Sequence, residues 1–158
     1  MNSNHQEMTS GSYRRLGIEL AIDFVIMYLV MYTMIATVDH FYVNINNAYM
    51  TLMMVAPMAV VMLLAMRSMF PSRRINWVIG GAAAAIFVGS FIGMRTQAAI
   101  GDSEFLRSMI PHHSGAILMC REAQLTDPEI VALCGQIVES QQREIDQMKA
   151  ILDRIGQP

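Results

Sequence analysis

The apolar residues of this 158-residue chain are concentrated between residues 16 and 94, whereas residues 95–158 read as an ordinary charged helical segment. Only 15% of the chain is charged, against about a quarter in a soluble domain. The first region therefore has the composition of a lipid-embedded segment and the second that of an aqueous one. Three spans are expected, Leu20–Val38, Asn47–Met66 and Ile75–Met94, each near the ~20 residues that cross a bilayer as a helix. No small-x-small cleavage site follows the first, so it reads as a retained span rather than a signal peptide.

Charge placement orients these spans. Arg14 and Arg15 precede the first, Arg67, Arg73 and Arg74 separate the second from the third, and the loop 39–48 has no Lys or Arg. The positive-inside rule then puts the N-terminus and the second loop in the cytoplasm, with Trp77 at the cytoplasmic interface. The expected organisation is a cytoplasmic tail (1–15), a three-helix membrane region (16–94) and an extracytoplasmic domain (95–158), periplasmic if the membrane is a bacterial inner membrane. The last domain has six basic and nine acidic residues, which argues against nucleic acid as a partner.

Within the membrane region, Met50, Met54, Met58, Met62 and Met66 recur every four residues. That stripe reads either as a thioether track for Cu(I) or as adaptable packing, and Pro57 should kink it. Gly81, Ala85, Gly89 and Gly93 form a small-residue stripe suited to close helix approach, as a packing face or a dimer face. Asp23 lies near the cytoplasmic end of the first span, where it reads as an interfacial partner of Arg14 or Arg15 or as a functional intramembrane acid.

The aqueous part reads as a helical hairpin. Asp102 and Glu104 suit a helix start, and the apolar pattern runs on to about Leu125. Thr126-Asp127-Pro128-Glu129 is a second start signal, and Gly156 closes the second helix. Two apolar stripes share the first helix: Phe105, Met109, His112, Ala116, Met119 and, beside it, Leu106, Ile110, His113, Ile117, Cys120. So wide a face exceeds what one partner helix covers, and two helices make a poor core alone. A four-helix bundle made by two copies of the hairpin is therefore expected.

Counting outward from the turn sets Cys120 opposite Cys134, His113 opposite Gln141 and Met109 opposite Ile145. The cysteines can form a disulfide, ligate a soft metal or remain free thiols. His112 and His113, with Met109, Met119 and the Gln141–Glu144–Met148 face, then converge on the hairpin middle. Two adjacent histidines on an apolar arc must find hydrogen-bond partners or a metal. Gln141 and Glu144 can serve as such partners or as groups that orient ligating imidazoles.

Residues 101–153, with Met109-Ile110-Pro111-His112-His113 at their centre and Asp127-Pro128-Glu129-Ile130 and Gln141-x-x-Glu144-Ile145-x-x-Met148 following, resemble the bacterial family called domain of unknown function 305. The resemblance implies a ferritin-like helical bundle, exported or membrane-anchored and associated with copper. It also implies a candidate ligand set of Asp102, Met109, His112, His113, Met119, Gln141, Glu144 and Met148. The cysteine pair lies outside the family pattern.

The expectation is an all-α, membrane-anchored protein that binds Cu(I) or Ag(I), partners being the ion, lipid and a second copy. Neutral imidazole and thioether donors suit a monovalent soft ion. An oxidase with a di-metal carboxylate centre needs Glu-x-x-His pairs, and the sequence has none, so no enzymatic activity is expected. The alternative is a metal-free interaction module in which the histidines are structural.

Overall fold

A computed structural model describes residues 3–156, with side chains from residue 11 onward. The expected N-terminal tail, 1–15, lies partly outside these. The described residues contain no strand; in order they form α1 (Ser3–Val30), a 3-10 turn (Val38–His40), α2 (Ile45–Ala65), α3 (Arg73–Thr96), α4 (Asp102–Glu122) and α5 (Pro128–Ile155). They divide into two compact units. One takes residues up to Val30 with Ala48–Ala98; the other takes Met31–Asn47 with the chain from Ala99 onward.

In the first unit α1, α2 and α3 pack through two small cores. Leu16, Leu63 and Phe70 are buried together, with Tyr13 and Met62 against them. Ala56, Ala59 and Ala83 form the other, where small side chains let helices come close. Tyr13 ties α1 to the start of α3 by donating its hydroxyl to Asn76 Oδ1 at 2.7 Å. Ser72 caps α3 by accepting from the Ile75 amide.

The sequence reading of this unit needs three corrections. Among the described residues two helices, α2 and α3, are long and apolar enough to cross a membrane, not three. The first expected span fails because α1 ends at Val30, so residues 31–38 do not continue it. Any stretch of about 18 residues in α1 then takes in Arg14, Arg15 and Glu19, too many charges for a spanning helix. The small-residue stripe of α3 is not the face that packs within this chain: Gly81, Ala85 and Gly89 are exposed, and Ala83, Ser90 and Gly93 are buried, which leaves a face toward a second copy as the other role expected for it. Gly93 alone of that stripe meets a neighbour, the Tyr49 ring, which a Cβ would touch at 2.9 Å. Asp23 makes no ion pair with Arg14 or Arg15 among the described residues. The methionines of α2 flank its buried Thr51–Val55–Ala59–Leu63 face, with Met62 packed on the Leu16 cluster. Pro57 and Pro111 both sit within continuous helices.

The second unit is the hairpin α4–α5. Asp127 caps α5, its carboxylate accepting from the Glu129 and Ile130 amides, with Pro128 at the first helical position. At the other start Gly101 takes the cap position, and Asp102 is the first residue of α4. Leu106, Ile110, Ile117, Ile145 and Met148 make the core, and Ala36 and Tyr42 pack on it from outside the hairpin.

Those two residues belong to the connection between α1 and α2. The Ala36 amide donates to Ser114 Oγ at 2.7 Å, Asn46 donates to Ser108 Oγ at 3.2 Å, and the Ile45 amide donates to Glu104 Oε2 at 3.2 Å. Within the segment, the Tyr32 hydroxyl donates to the Tyr42 carbonyl at 2.8 Å. Residues 31–47 are thus a third layer on the hairpin, covering part of the face that the sequence reading reserved for a second copy.

Cys120 and Cys134 are joined, with their Cα atoms 5.2 Å apart, which selects the disulfide from the three readings. The bond closes a loop of about 15 residues across the hairpin turn, worth about 3 kcal/mol by restriction of the unfolded chain. Replacing both cysteines by alanine should lower the stability of this unit by about 2–3 kcal/mol. Chemical denaturation of the full chain, followed by circular dichroism with and without reductant, measures this; an unchanged midpoint contradicts it.

Candidate metal-binding site on the helical hairpin

His113 is where the candidate residues meet. It is buried on the α5 side of α4. Its Nδ1 lies 2.9 Å from the Met109 carbonyl oxygen, and its Nε2 lies 2.7 Å from Glu144 Oε2. A carbonyl only accepts, so Nδ1 carries a proton and Nε2 is the variable nitrogen. With Glu144 ionised, Nε2–H donates to it as well, a charge-assisted bond across the hairpin.

The register expected from the turn holds for the cysteines but places Gln141 opposite His113, whereas the contact is with Glu144, one turn farther on. Side-chain direction explains the offset. Helical side chains lean toward their own N-terminus, so His113 leans away from the turn and Glu144 leans back toward it. Gln141 is half-buried on the same face of α5, one turn nearer the turn.

The other candidates divide. Met109 packs on the core, and Met148 is buried within it. His112, expected on the apolar arc, is exposed, with its ring centroid 6.0 Å from that of His113. Met119 is exposed at the far end of the same stripe, 54% accessible, about two turns from His112. Asp102 is exposed at the start of α4, about 16 Å along the helix from His113. The structure therefore joins His113 to the Met109 carbonyl and to Glu144, sets the His112 ring beside that of His113, keeps the Met109 and Met148 side chains with the hairpin core, and leaves Asp102 and Met119 apart. Among the described residues no group of three or more His, Cys, Asp or Glu is placed to hold a metal. The groups in contact here are one imidazole, one backbone carbonyl and one carboxylate, with a second imidazole beside them.

Sequence reasoning missed His40. It is buried, with Nδ1 2.8 Å from Ser114 Oγ, the neighbour of His113. Ser114 accepts from the Ala36 amide and is placed to donate to neutral His40. Burial holds the His40 pKa below its ordinary 6.5; the Lys149 charge adds to this, and Asp39 and Asp146 oppose it. Asp39 beside it forms an ion pair with Lys149 of α5, whose hydrogen bond and charge hold the Asp39 carboxyl below its ordinary 3.8. The available signal was an Asp-His pair within a loop free of Lys and Arg, bracketed by aromatic residues.

The family model described as domain of unknown function (DUF305) matches residues 93–152. An uncharacterized protein of Acanthamoeba polyphaga mimivirus is 38% identical over 112 residues, 70% of this chain and 72% of that protein. The fold and this stretch of similarity define a helical-hairpin domain preceded by apolar helices. The chain belongs to the DUF305 family. No solved structure matches it significantly.

The sign of the His40 shift fixes a pH response. Its folded pKa lies below the unfolded value, so the unfolded chain takes up the proton first. The stability of the second unit should be full above about pH 6.5, fall as pH drops below it, and complete this loss only below the folded pKa. Asp39 adds a second loss at lower pH, as pH falls from its ordinary value through the depressed folded one. Hydrogen exchange of the Ala36 and His40 amides, corrected for intrinsic rates, should accelerate below that pH. His40→Phe should remove the first step and keep the second. Exchange independent of pH in the native chain contradicts the account.

Proposed function

We propose that this protein is a membrane-anchored binder of Cu(I) or Ag(I), with the hairpin on the oxidising, extracytoplasmic side. In a bacterium that side is the periplasmic face of the inner membrane. The observation that carries the reading is the orientation of His113: its Nδ1–H is fixed on the Met109 carbonyl, leaving Nε2 as the nitrogen that exchanges a proton for a metal. Anchoring one imidazole nitrogen in this way is how proteins orient ligating histidines. His112 and His113 would hold the ion with the Met109 thioether, and Glu144 would release Nε2 or join the set. Gln141 and Met148 flank it, and Asp102 and Met119 would take part only through a second copy.

The disulfide supports the extracytoplasmic placement, since such bonds persist in oxidising compartments. The apolar α2 and α3 support the anchor, and the exposed apolar residues of α1, Ile18, Ile22, Val25, Ile26 and Leu29, suit contact with lipid beside them. Phe105, Met119, Val131 and Leu133 remain exposed on the hairpin and suit a homodimer that completes a four-helix bundle. The role is binding, buffering or transfer of the ion, with no catalysis.

A second reading has its own observation: both ring nitrogens of His113 are already partnered, as in a structural histidine of a metal-free interaction module. A Cu(I) titration of the full chain in detergent against a competing Cu(I) chelator separates the two. The copper reading expects stoichiometric binding by the native chain. It also expects a loss of at least about tenfold in the His112→Ala, His113→Ala variant, and a smaller loss in the better-packed His112→Ala, Met109→Leu variant. Absence of binding in the native chain, or equal binding in the double-histidine variant with its helices intact, sinks it in favour of the structural role.

A further inference from the structure

At the α2–α3 connection the first unit has a half-open cavity of about 560 Å³, within the range of ligand pockets. Its walls are of two kinds. Val60, Leu63 and Leu64 of α2 make an apolar side, and Arg67, Arg73 and Trp77 stand at its mouth. Both arginines are exposed, and Trp77 is 80% accessible. Neither arginine forms a salt bridge among the described residues, and the whole segment 66–74 has no acid.

The hydrogen bonds of Tyr13 to the Ser72 carbonyl and Asn76 hold that part of α1 at this same end, so Arg14 and Arg15 join Arg67, Arg73 and Arg74 there. The Asn76 amide is used to fix the loop, donating to the Phe70 carbonyl at 2.9 Å, so the cavity mouth is built rather than open chain.

The geometry points to a binding site for one anionic phospholipid. Two guanidiniums at the mouth match a phosphate, for which the planar fork of arginine is suited. The apolar wall runs about one turn along the end of α2 from Val60 to Leu64, just before Arg67, where an acyl chain lies in line with the headgroup. An exposed tryptophan beside them has the amphipathic ring typical of the bilayer interface. A free phosphate satisfies the guanidiniums but leaves the apolar wall uncovered, and a zwitterionic lipid covers the wall but adds a cation beside the arginines. The inference rests on the reading that α2 and α3 cross a membrane, and it adds a specific lipid to that anchor. Basic pockets between membrane helices recognise anionic headgroups by this chemistry.

The test uses the full chain. It is first mixed with vesicles of phosphatidylcholine containing phosphatidylglycerol, and insertion is read by resistance to alkaline extraction. The inserted protein is then extracted in mild detergent, and retained lipid is measured by native mass spectrometry. The expected result is one phosphatidylglycerol per chain, retained at least tenfold over phosphatidylcholine and not displaced by millimolar inorganic phosphate. Arg67→Gln, Arg73→Gln should abolish that preference. Arg14→Gln, Arg15→Gln, at the same end but outside the cavity, should keep it. Equal retention of both lipids, displacement by free phosphate, or equal loss in the two variants overturns the site. Failure to insert at all overturns the membrane reading beneath it, a distinct outcome. Leu64→Phe, which narrows the apolar wall without touching charge, should also reduce retention; unaltered retention in that variant counts against an acyl chain in the cavity.

Discussion

Two helices joined by a tight turn bury one seam and leave the rest of their apolar surface wet, so a hairpin of this size is stable only when something lies across it. Residues 31–47 supply that cover within the same chain. Their amides and side chains reach Ser114, Ser108 and Glu104 of α4, and Asp39 reaches Lys149 of α5. The Ser114 hydroxyl is central, because it satisfies the Ala36 amide and the His40 ring in one buried position. An alanine there leaves a buried amide without its acceptor, at a cost of about 1–3 kcal/mol. The disulfide acts near the hairpin turn, joining Cys120 of α4 to Cys134 of α5.

Local signals were legible in the sequence. Asp127-Pro128 fixed the start of α5, and Gly156 marked its end, because caps depend on a few adjacent residues. Equal counting from the turn placed Cys120 against Cys134, because an antiparallel hairpin has little freedom of register so close to its turn. The same counting put His113 one turn away from its true partner, because backbone register ignores the direction in which side chains lean.

Non-local burial was not legible. Met31–Val38 is as apolar as a span, and hydropathy cannot separate burial in lipid from burial against protein. Its cover function depends on Ser114, some eighty residues away, which no periodicity reports. His40 was passed over for the same reason: a loop histidine has no helical stripe to mark it. The α3 stripe of Gly81, Ala85 and Gly89 matched a packing pattern, yet the packed face is set by where Ala56, Ala59 and Ala83 meet. The wide apolar face of α4 was legible as a face in need of cover; whether that cover came from this chain or another copy was not, since both bury the same surface.

The structural and metal-binding readings of His113 are alternatives at one atom. Its Nδ1–H is committed to the Met109 carbonyl in either case, so the ring orientation does not change between them. Nε2 holds either a proton shared with Glu144 or an ion. Glu144 is about half exposed, so releasing it to water costs far less than uncovering a buried carboxylate. The adjacent residue, Ser114, secures residues 31–47 through its own hydroxyl and takes no part in the exchange. On the metal-binding reading, an ion would replace the proton at Nε2 while the cover over the hairpin stays in place. The fixed support and the variable nitrogen are thus separate: the structural reading needs Glu144 as the partner of Nε2, and the metal-binding reading needs Glu144 to yield it.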